Sequence, residues 1–419
     1  MEKWIKSISG AIPHTNKTVD IVLDGKNLII TGANGSGKTS FLKALYEKTD
    51  VLIVKKMGAG LPFLKQQLLK LSYWQKNGMM VAEEGAPQHD EYNTMVSQIK
   101  TLESEINAIE SGLCVDIPGN IGFSALYDDR KAVIRFFEEK RLADITPATT
   151  ARGLSTEEEN AKKQDPAQKF GNNLEQHLVN LMNRQSLAIS KDKNQALADN
   201  IAAWFDDFEK NLKVLFEDQT VTLGFDSDSL KFTICQESKP PYTFQTLSAG
   251  YRAIFDIYAE LIMRTEYFKI VPKDLTGVVF IDEIDSHLHV SLQRLILPFF
   301  IGSFPNIQFI VTTHSPFVLM SAPGTVVFDL AKNEPITEDL SFFTYSAVMK
   351  GLWNIKPIPV RIENTILEIA TIVNSEKKDY AHLAELIKKI DGREDTLDNE
   401  SKAFFLLGLE ALEEKAGNV

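Results

Sequence analysis

Residues 28–45 read LIITGANGSGKTSFLKAL: an apolar run, a loop of small residues, then helical spacing. Leu28, Ile29 and Ile30 predict a short buried strand, and Ser40 to Leu45 predict an amphipathic helix. Between them Gly32, Ala33, Asn34, Gly35, Ser36, Gly37, Lys38 and Thr39 fit the spacing G-x-x-x-x-G-K-[ST], with Ser40 following in the helix. Glycines let such a loop curl until successive N–H groups point at one centre, and the helix N-terminus adds partial positive charge. The product is a cradle for phosphate oxygens. Lys38 can then reach the β and γ phosphates as a point charge, while the Thr39 hydroxyl can ligate Mg²⁺. The flanking strand and helix separate this stretch from an ordinary glycine turn.

A phosphate cradle alone hydrolyses nothing, so metal-holding and water-activating groups are needed elsewhere. Residues 277–283, GVVFIDE, supply them. Val278 to Ile281 predict a fully buried parallel strand, whose carboxyl end is where ligands bind in open α/β sheets. Asp282 is expected to hold Mg²⁺ through water and Glu283 to act as general base. After a further strand, Gln308 to Val311, come Thr312, Thr313, His314 and Ser315. A neutral imidazole at His314 can hydrogen-bond the γ phosphate. Upstream, LSAGYR at 247–252 precedes a helical pattern, so Ser248 and the Gly250 N–H form a second anion-binding helix start. On its own, that segment is a plain serine N-cap.

GANGSGKT, LSAGYR, GVVFIDE, IDSHLH and TTHS, in that order, resemble the ATP-binding cassette (ABC) ATPases. More narrowly, they resemble the soluble SMC, Rad50 and RecF-like branch. The resemblance covers residues 1 to about 60 and about 115 to 335. It implies a homodimer in which ATP is sandwiched at the seam, the signature loop of one copy closing on the nucleotide of the other. Ser248, Gly250 and Arg252 would then act in trans, and Asp285 would lie at the seam. The glutamine loop of the family is not cleanly present. KAVIRFFEEKRLAD, 131–144, is the segment that could occupy its place, with Lys140 or Arg141 near the nucleotide.

The rest of the chain sets the architecture. Its 419 residues, 44% hydrophobic, can bury one large or two ordinary cores. No apolar run approaches the roughly 20 residues of a membrane span, and the start, MEKWIKSISG, lacks a secretory apolar segment, so a cytoplasmic protein is expected with no membrane partner. A formal charge of −12 argues against a protein that coats nucleic acid over its whole surface, although a local basic groove would still work. Cys114 and Cys235 are too few for a disulfide framework and read as buried thiols. His287 and His289, two apart, do not have the spacing of a zinc helix.

Leu61, Leu64, Leu68 and Leu71, and then Met95, Ile99, Leu102, Ile106, Ile109 and Leu113, step by three and four. That is the seam of paired helices, and NGMMVAEEGAPQHDE between them predicts an antiparallel coiled-coil hairpin. The first arm carries Lys65, Lys70 and Lys76, the second Glu91, Glu103, Glu105 and Glu110, charges that can attract one another across the hairpin or leave the lysines for a partner. Residues 145–172 read as a polar mobile loop, and Leu174 to Phe216 as helices with Trp204, Phe205, Phe208, Leu212 and Leu215 on a core face. Arg361–Val373, Tyr380–Ile390 and Asn399–Glu414 predict a helical tail without Toprim or HNH nuclease motifs.

The expectation is therefore an α/β, ABC-type P-loop ATPase head. It is divided into 1–60 and 114–345, the latter with a helical subdomain at about 173–216. A short coiled-coil insertion occupies 61–113, and helices occupy 346–419. TYSAVMKGLW, 344–353, with the tail after it, resembles the ATPase subunits of bacterial anti-phage systems of the Septu and PARIS type. That resemblance implies dimers or higher multimers that control a separate effector, a nuclease of HNH or Toprim type. Two readings stay open beside it: a RecF-like repair ATPase that binds DNA or RNA directly, and a scaffold that holds ATP with little turnover.

Overall fold

The computed structural model describes residues 4–56, 61–77, 89–110, 112–354, 359–375, 378–393, 397 and 399–417. The chain divides into two compact units, 1–343 and 344–419. The first begins with strands β1 (Ser7–Ala11) and β2 (Thr18–Val22), enters β3 (Leu28–Thr31), and runs through the glycine loop into helix α1 (Lys38–Ile53). Helices α2 (Leu61–Lys76) and α3 (His89–Glu110) follow, and β4 (Leu113–Asp116) returns to pair antiparallel with β1. Next come α4 (Asn120–Asp128), β5 (Ala132–Phe137), α5 (Leu154–Lys163), α6 (Leu174–Ser190) and α7 (Gln195–Leu215). A meander of β6 (Thr222–Asp226), β7 (Lys231–Gln236) and β8 (Lys239–Tyr242) leads to α8 (Ala249–Phe268). The last part is β9 (Thr276–Ile281), α9 (Val290–Ser303), β10 (Ile307–Thr312), α10 (Pro316–Leu319), β11 (Val326–Asp329) and β12 (Glu334–Ile336).

Six strands make the central sheet in the order β12-β11-β3-β10-β9-β5, parallel except for the β12 edge. Every residue of β3, β9 and β10 is buried, as a parallel sheet covered on both faces requires. The register sets Val311 beside both Ile29 and Ile281, so three strand ends open on one side of the sheet. They deliver the glycine loop, Asp282–Glu283 and Thr313–His314 next to each other, at the edge where open α/β sheets bind ligands. Helix α1 buries Phe41, Leu42, Leu45 and Ile53 in a cluster that also holds Ile30, Phe280 and Ile310 of the central sheet and Ile8, Ile21 and Val115 of the β2-β1-β4 sheet. The loop is thus fixed at both ends by core packing.

Helices α2 and α3 pack on each other. Met95, Ile99 and Ile106 are buried, and Leu64, Leu68 and Leu71 half-buried, on the stripes expected to form the seam. Most of the expected hairpin turn, 78–88, lies outside the described residues, as do the side chains of Leu61 and Ile109. Leu113, read as the last seam residue, instead sits in β4, because alternation over Leu113–Asp116 turns its side chain into the sheet core. The same alternation leaves Cys114 exposed, correcting the expectation of a buried thiol. Residues 145–172 are not a bare loop. LSTEEENAKK forms α5, with Glu157 in its first turn and Lys162 and Lys163 in its last, which suits the helix dipole. The Ala167 and Gln168 carbonyls accept from the buried Arg135 guanidinium.

The second unit consists of α11 (Tyr345–Trp353), α12 (Val360–Val373), α13 (Tyr380–Ile390) and α14 (Asn399–Gly417). The last three enclose Ile366, Ile369, Leu383, Leu386, Ile387 and Phe405. Gly408 lets α14 approach its neighbours, since a Cβ there would stand 2.9 Å from Ile387 Cδ1 and 3.1 Å from Ile369 Cγ2. Among the described residues, no helix is long and apolar enough to cross a membrane.

Candidate functional site

The glycine loop is shaped by close approach as much as by flexibility. Gly32 has φ +137°, and a Cβ there would lie 2.9 Å from Ala331 N and 3.3 Å from Asp329 Oδ1. Gly37 caps α1 in the left-handed conformation, where a side chain would be strained. Ala33, Asn34 and Gly35 form the exposed rim, with Thr39 and Ser40 exposed at the helix start. The Ser36 hydroxyl is shielded from solvent and has no partner among the described residues. Lys38 lies back across the loop, its Nζ donating to Gly32 O at 3.2 Å and Ala33 O at 3.3 Å. Burial lowers its pKa, opposed by the carboxylates of Glu283, Asp282, Asp285 and Asp329. A buried ammonium whose recorded partners among the described residues are two carbonyls is poised to exchange them for phosphate oxygens, so loop and lysine fit a nucleoside triphosphate.

Asp282 leaves the end of β9 buried, and its Oδ1 accepts from Thr39 Oγ1 at 3.2 Å and Thr312 Oγ1 at 2.7 Å. The two residues expected to ligate Mg²⁺ therefore touch, which suits an oxygen-ligand site for that ion. Thr312 also accepts from Glu283 N at 2.7 Å. Glu283 adopts φ +44°, and its pKa is raised by burial first and then by Glu139, Asp282 and Asp285. His314 Nε2 stands 3.9 Å from Glu283 Oε1. Burial and then Lys38 lower the His314 pKa, which favours the neutral imidazole expected there. Asp285 accepts from Thr313 Oγ1, so the chain itself partners this carboxylate.

Ser248 and Gly250 form a second locus. Ser248 is the exposed N-cap of α8, but its side chain makes no cap hydrogen bond, unlike a plain serine cap. Gly250 is buried against the turn before α9, where a Cβ would lie 2.8 Å from His287 O. Arg252 is half-buried, and its Nε donates to Ala143 O at 3.4 Å. Lys140 is exposed, whereas Arg141 is buried and donates to the main-chain carbonyls of Asp282 and Glu283. His287 is exposed and His289 is the N-cap of α9, and no cluster of metal-ligating side chains occurs among the described residues.

Sequence reasoning missed Thr312 as the shared partner of both acidic residues and Arg141 as the holder of their backbone. The signal for Thr312 was its place at the end of a strand that neighbours both the loop strand and the acidic strand. For Arg141 the resemblance placed the 131–144 segment near the nucleotide but left Lys140 and Arg141 as alternatives, and nothing in the spacing pointed to main-chain carbonyls as its partners, because an arginine beyond a strand end is normally solvated.

A family model described as "AAA domain, putative AbiEii toxin, Type IV TA system" matches residues 128–321. A Retron Ec83 probable ATPase from Escherichia coli is 48% identical over 75 residues, 17% of this chain and 14% of that one. Septu protein PtuA from Bacillus mycoides (strain KBAB4) is 32% identical over 135 residues, 31% of this chain and 18% of the relative. Septu protein PtuA from Bacillus thuringiensis is 35% identical over 101 residues, 23% of this chain and 25% of the relative. The matches thus span a quarter or less of these relatives' lengths. Among solved structures, an SMC head bound to the C-winged helix domain of ScpA aligns with TM-score 0.34 and 12% identity over 79% of this chain and 96% of that one.

Proposed function

We propose that this chain, an SMC- and Rad50-like ABC-type ATPase, binds ATP with Mg²⁺ at residues 32–40, hydrolyses it, and through the resulting change of assembly state controls a separate effector. The observation that carries the reading is the convergence of Thr39, Asp282, Thr312, Glu283 and His314 on the carboxyl ends of β3, β9 and β10. Thr39 and Asp282 would hold Mg²⁺, which when bound neutralises charge on the β and γ phosphates. Lys38 exchanges its two carbonyl partners for phosphate oxygens. Glu283, with its raised proton affinity, draws the proton from a water aligned with the γ phosphorus, and His314 donates a hydrogen bond to the γ phosphate. The phosphoryl transition state is loose, so this charge placement supplies most of the catalysis.

In the same reading the uncapped Ser248 hydroxyl and the helix start behind it close on the ATP of a second copy, and Asp285 borders the seam. Two copies thus complete two pockets. The Retron and Septu relatives support a role in anti-phage defence; the controlled partner in this reading, a nuclease of HNH or Toprim type, rests on the resemblance of residues 344–353 and the tail to Septu- and PARIS-type ATPase subunits. Glu283→Gln provides the test: it should keep ATP bound and accumulate dimers, seen by light scattering. Hydrolysis at the wild-type rate refutes the base, and a monomer at saturating ATP refutes the sandwich.

One observation favours direct nucleic-acid binding as a second reading. Helix α2 exposes Lys65, Lys70, Tyr73 and Trp74 on its surface. Salt-dependent DNA binding by the purified chain, lost on charge reversal at Lys65 and Lys70, would establish it.

A further inference from the structure

The segment after β5 is stitched at both ends. Phe137 O accepts from Asp282 N at 2.9 Å, at the acidic turn. Ala143 N donates to Arg252 O at 3.2 Å and Ile145 O accepts from Gln245 Nε2 at 3.0 Å, so the other end is fixed to residues flanking the Ser248 helix start. Arg141 lies between these fixed points with 2% of its surface exposed. Its Nη1 donates to Asp282 O and, at 2.9 Å, to Glu138 O, and its Nη2 donates to Glu283 O at 2.8 Å. Its Nε is buried without a partner among the described residues.

A buried guanidinium is costly to desolvate and is ordinarily paired with a carboxylate. None of the three recorded acceptors of Arg141 is a carboxylate; all are main-chain carbonyls, two of them from the residues expected to hold the metal and move the proton. Glu283 meanwhile has φ +44°, a left-handed backbone that strains a non-glycine residue and persists only where the surroundings over-determine it. The rigid fork of the guanidinium spans two successive carbonyls, which the single ammonium of a lysine cannot do with the same geometry.

We propose that Arg141 is a positioning residue for hydrolysis: by bridging the Asp282 and Glu283 carbonyls it fixes the backbone from which the Glu283 carboxylate reaches water. It touches neither ATP nor water itself. This role rests on the hydrolase reading above.

The test compares Arg141→Gln and Arg141→Lys with the wild-type full chain. It measures steady-state MgATP turnover, equilibrium ATP binding, thermal melting, and hydrogen exchange over residues 282–286. Positioning lowers kcat by about tenfold or more in Arg141→Gln while the ATP Kd stays within about threefold, with Arg141→Lys intermediate. Exchange at 282–286 quickens in both. If Arg141→Gln does not fold, the same split in Arg141→Lys decides. Turnover within about twofold of wild type, or ATP affinity falling in step with kcat, overturns the role of Arg141 alone. A wild-type chain that binds ATP without turning it over overturns the hydrolase reading and the positioning role with it.

Discussion

Thr312→Val removes one oxygen and tests whether the acidic turn is held as the structure shows. The side chain is fully buried at the end of β10, and valine matches its shape, so packing changes little. Two bonds are lost: Thr312 Oγ1 to Asp282 Oδ1 at 2.7 Å, and Glu283 N to Thr312 Oγ1 at 2.7 Å. The first is a bond to a carboxylate, worth about 1.5–3 kcal/mol, and the second leaves an amide short of an acceptor at about 1–3 kcal/mol. Asp282 keeps the Thr39 hydroxyl, and the half-exposed Glu283 leaves room for water to satisfy its amide, so a net destabilisation of about 1–3 kcal/mol is expected. If half or more of that appears as misplacement of Glu283 in the transition state, kcat falls by about twofold to 150-fold. Phosphate release at saturating MgATP reads kcat, equilibrium binding reads ATP affinity, and urea melts read stability. Thr312→Ser keeps the hydroxyl and should stay close to wild type. A Thr312→Val chain with unchanged kcat and stability would refute the claim that this hydroxyl organises the site.

Lys38→Ala should weaken ATP binding by about a hundredfold, because the only side-chain cation the loop itself supplies is removed; retained micromolar affinity, measured by calorimetry, would count against the cradle. Ser248→Arg places bulk and charge on an exposed position, so ATP binding by the single chain should persist while dimer formation by the Glu283→Gln background is lost, read by light scattering. Glu260→Gln addresses α8 itself: the carboxylate accepts from Arg135 at 2.9 and 3.0 Å, Arg264 at 2.8 Å, Phe170 N at 2.6 Å and Gly171 N at 3.1 Å. Neutralising it strands two buried guanidiniums, at about 3–5 kcal/mol in a urea melt. Burial raises the Glu260 pKa, but Arg264 and Arg135 outweigh it and hold the group below the ordinary glutamate range. Its stabilisation is therefore complete above that range and is lost as pH falls through the lowered value, so the gap between wild type and variant should narrow in acid.

The parts of the site legible in the sequence are those fixed by local spacing. Residues 32–39 shape their own loop, and Asp282, Glu283 and His314 each come within three residues of the end of a buried apolar run, so strand ends could be read without knowing which strands are neighbours. Thr312 required the register, because its partnership with Asp282 exists only where β10 lies beside β9. Arg141 required the path of the chain after β5, which no periodicity encodes. Helix α5 was missed for a different reason: LSTEEENAKK has one buried residue, Ala161, and so lacks the apolar stripe from which a helix is read. Its stability comes from intrinsic propensity, end charges and packing against α8 and α6. Arg252 was placed by motif neighbourhood alone, and within the chain its Nε donates to Ala143 O.

Asp282 and Glu283 are adjacent in sequence yet are given different mechanical situations, and this difference suits the separate roles proposed for them. Asp282 is buried, with one oxygen held by hydroxyls from α1 and β10, an arrangement that fixes a ligand and resists movement. Among the described residues the hydrogen bonds recorded for Glu283 are to its backbone: Thr312 takes its N–H, Arg141 takes its carbonyl, and its carboxylate is partly exposed with His314 Nε2 at 3.9 Å. A general base needs a located main chain and an unencumbered carboxylate, because the proton it takes must not compete with a hydrogen bond already made. Burial together with the charges of Glu139, Asp282 and Asp285 raises its proton affinity, which strengthens it as a base while it remains ionised. The left-handed turn at Glu283 lets these two demands coexist in neighbouring residues, since it redirects the chain between a side chain that must be gripped and one that must be left free.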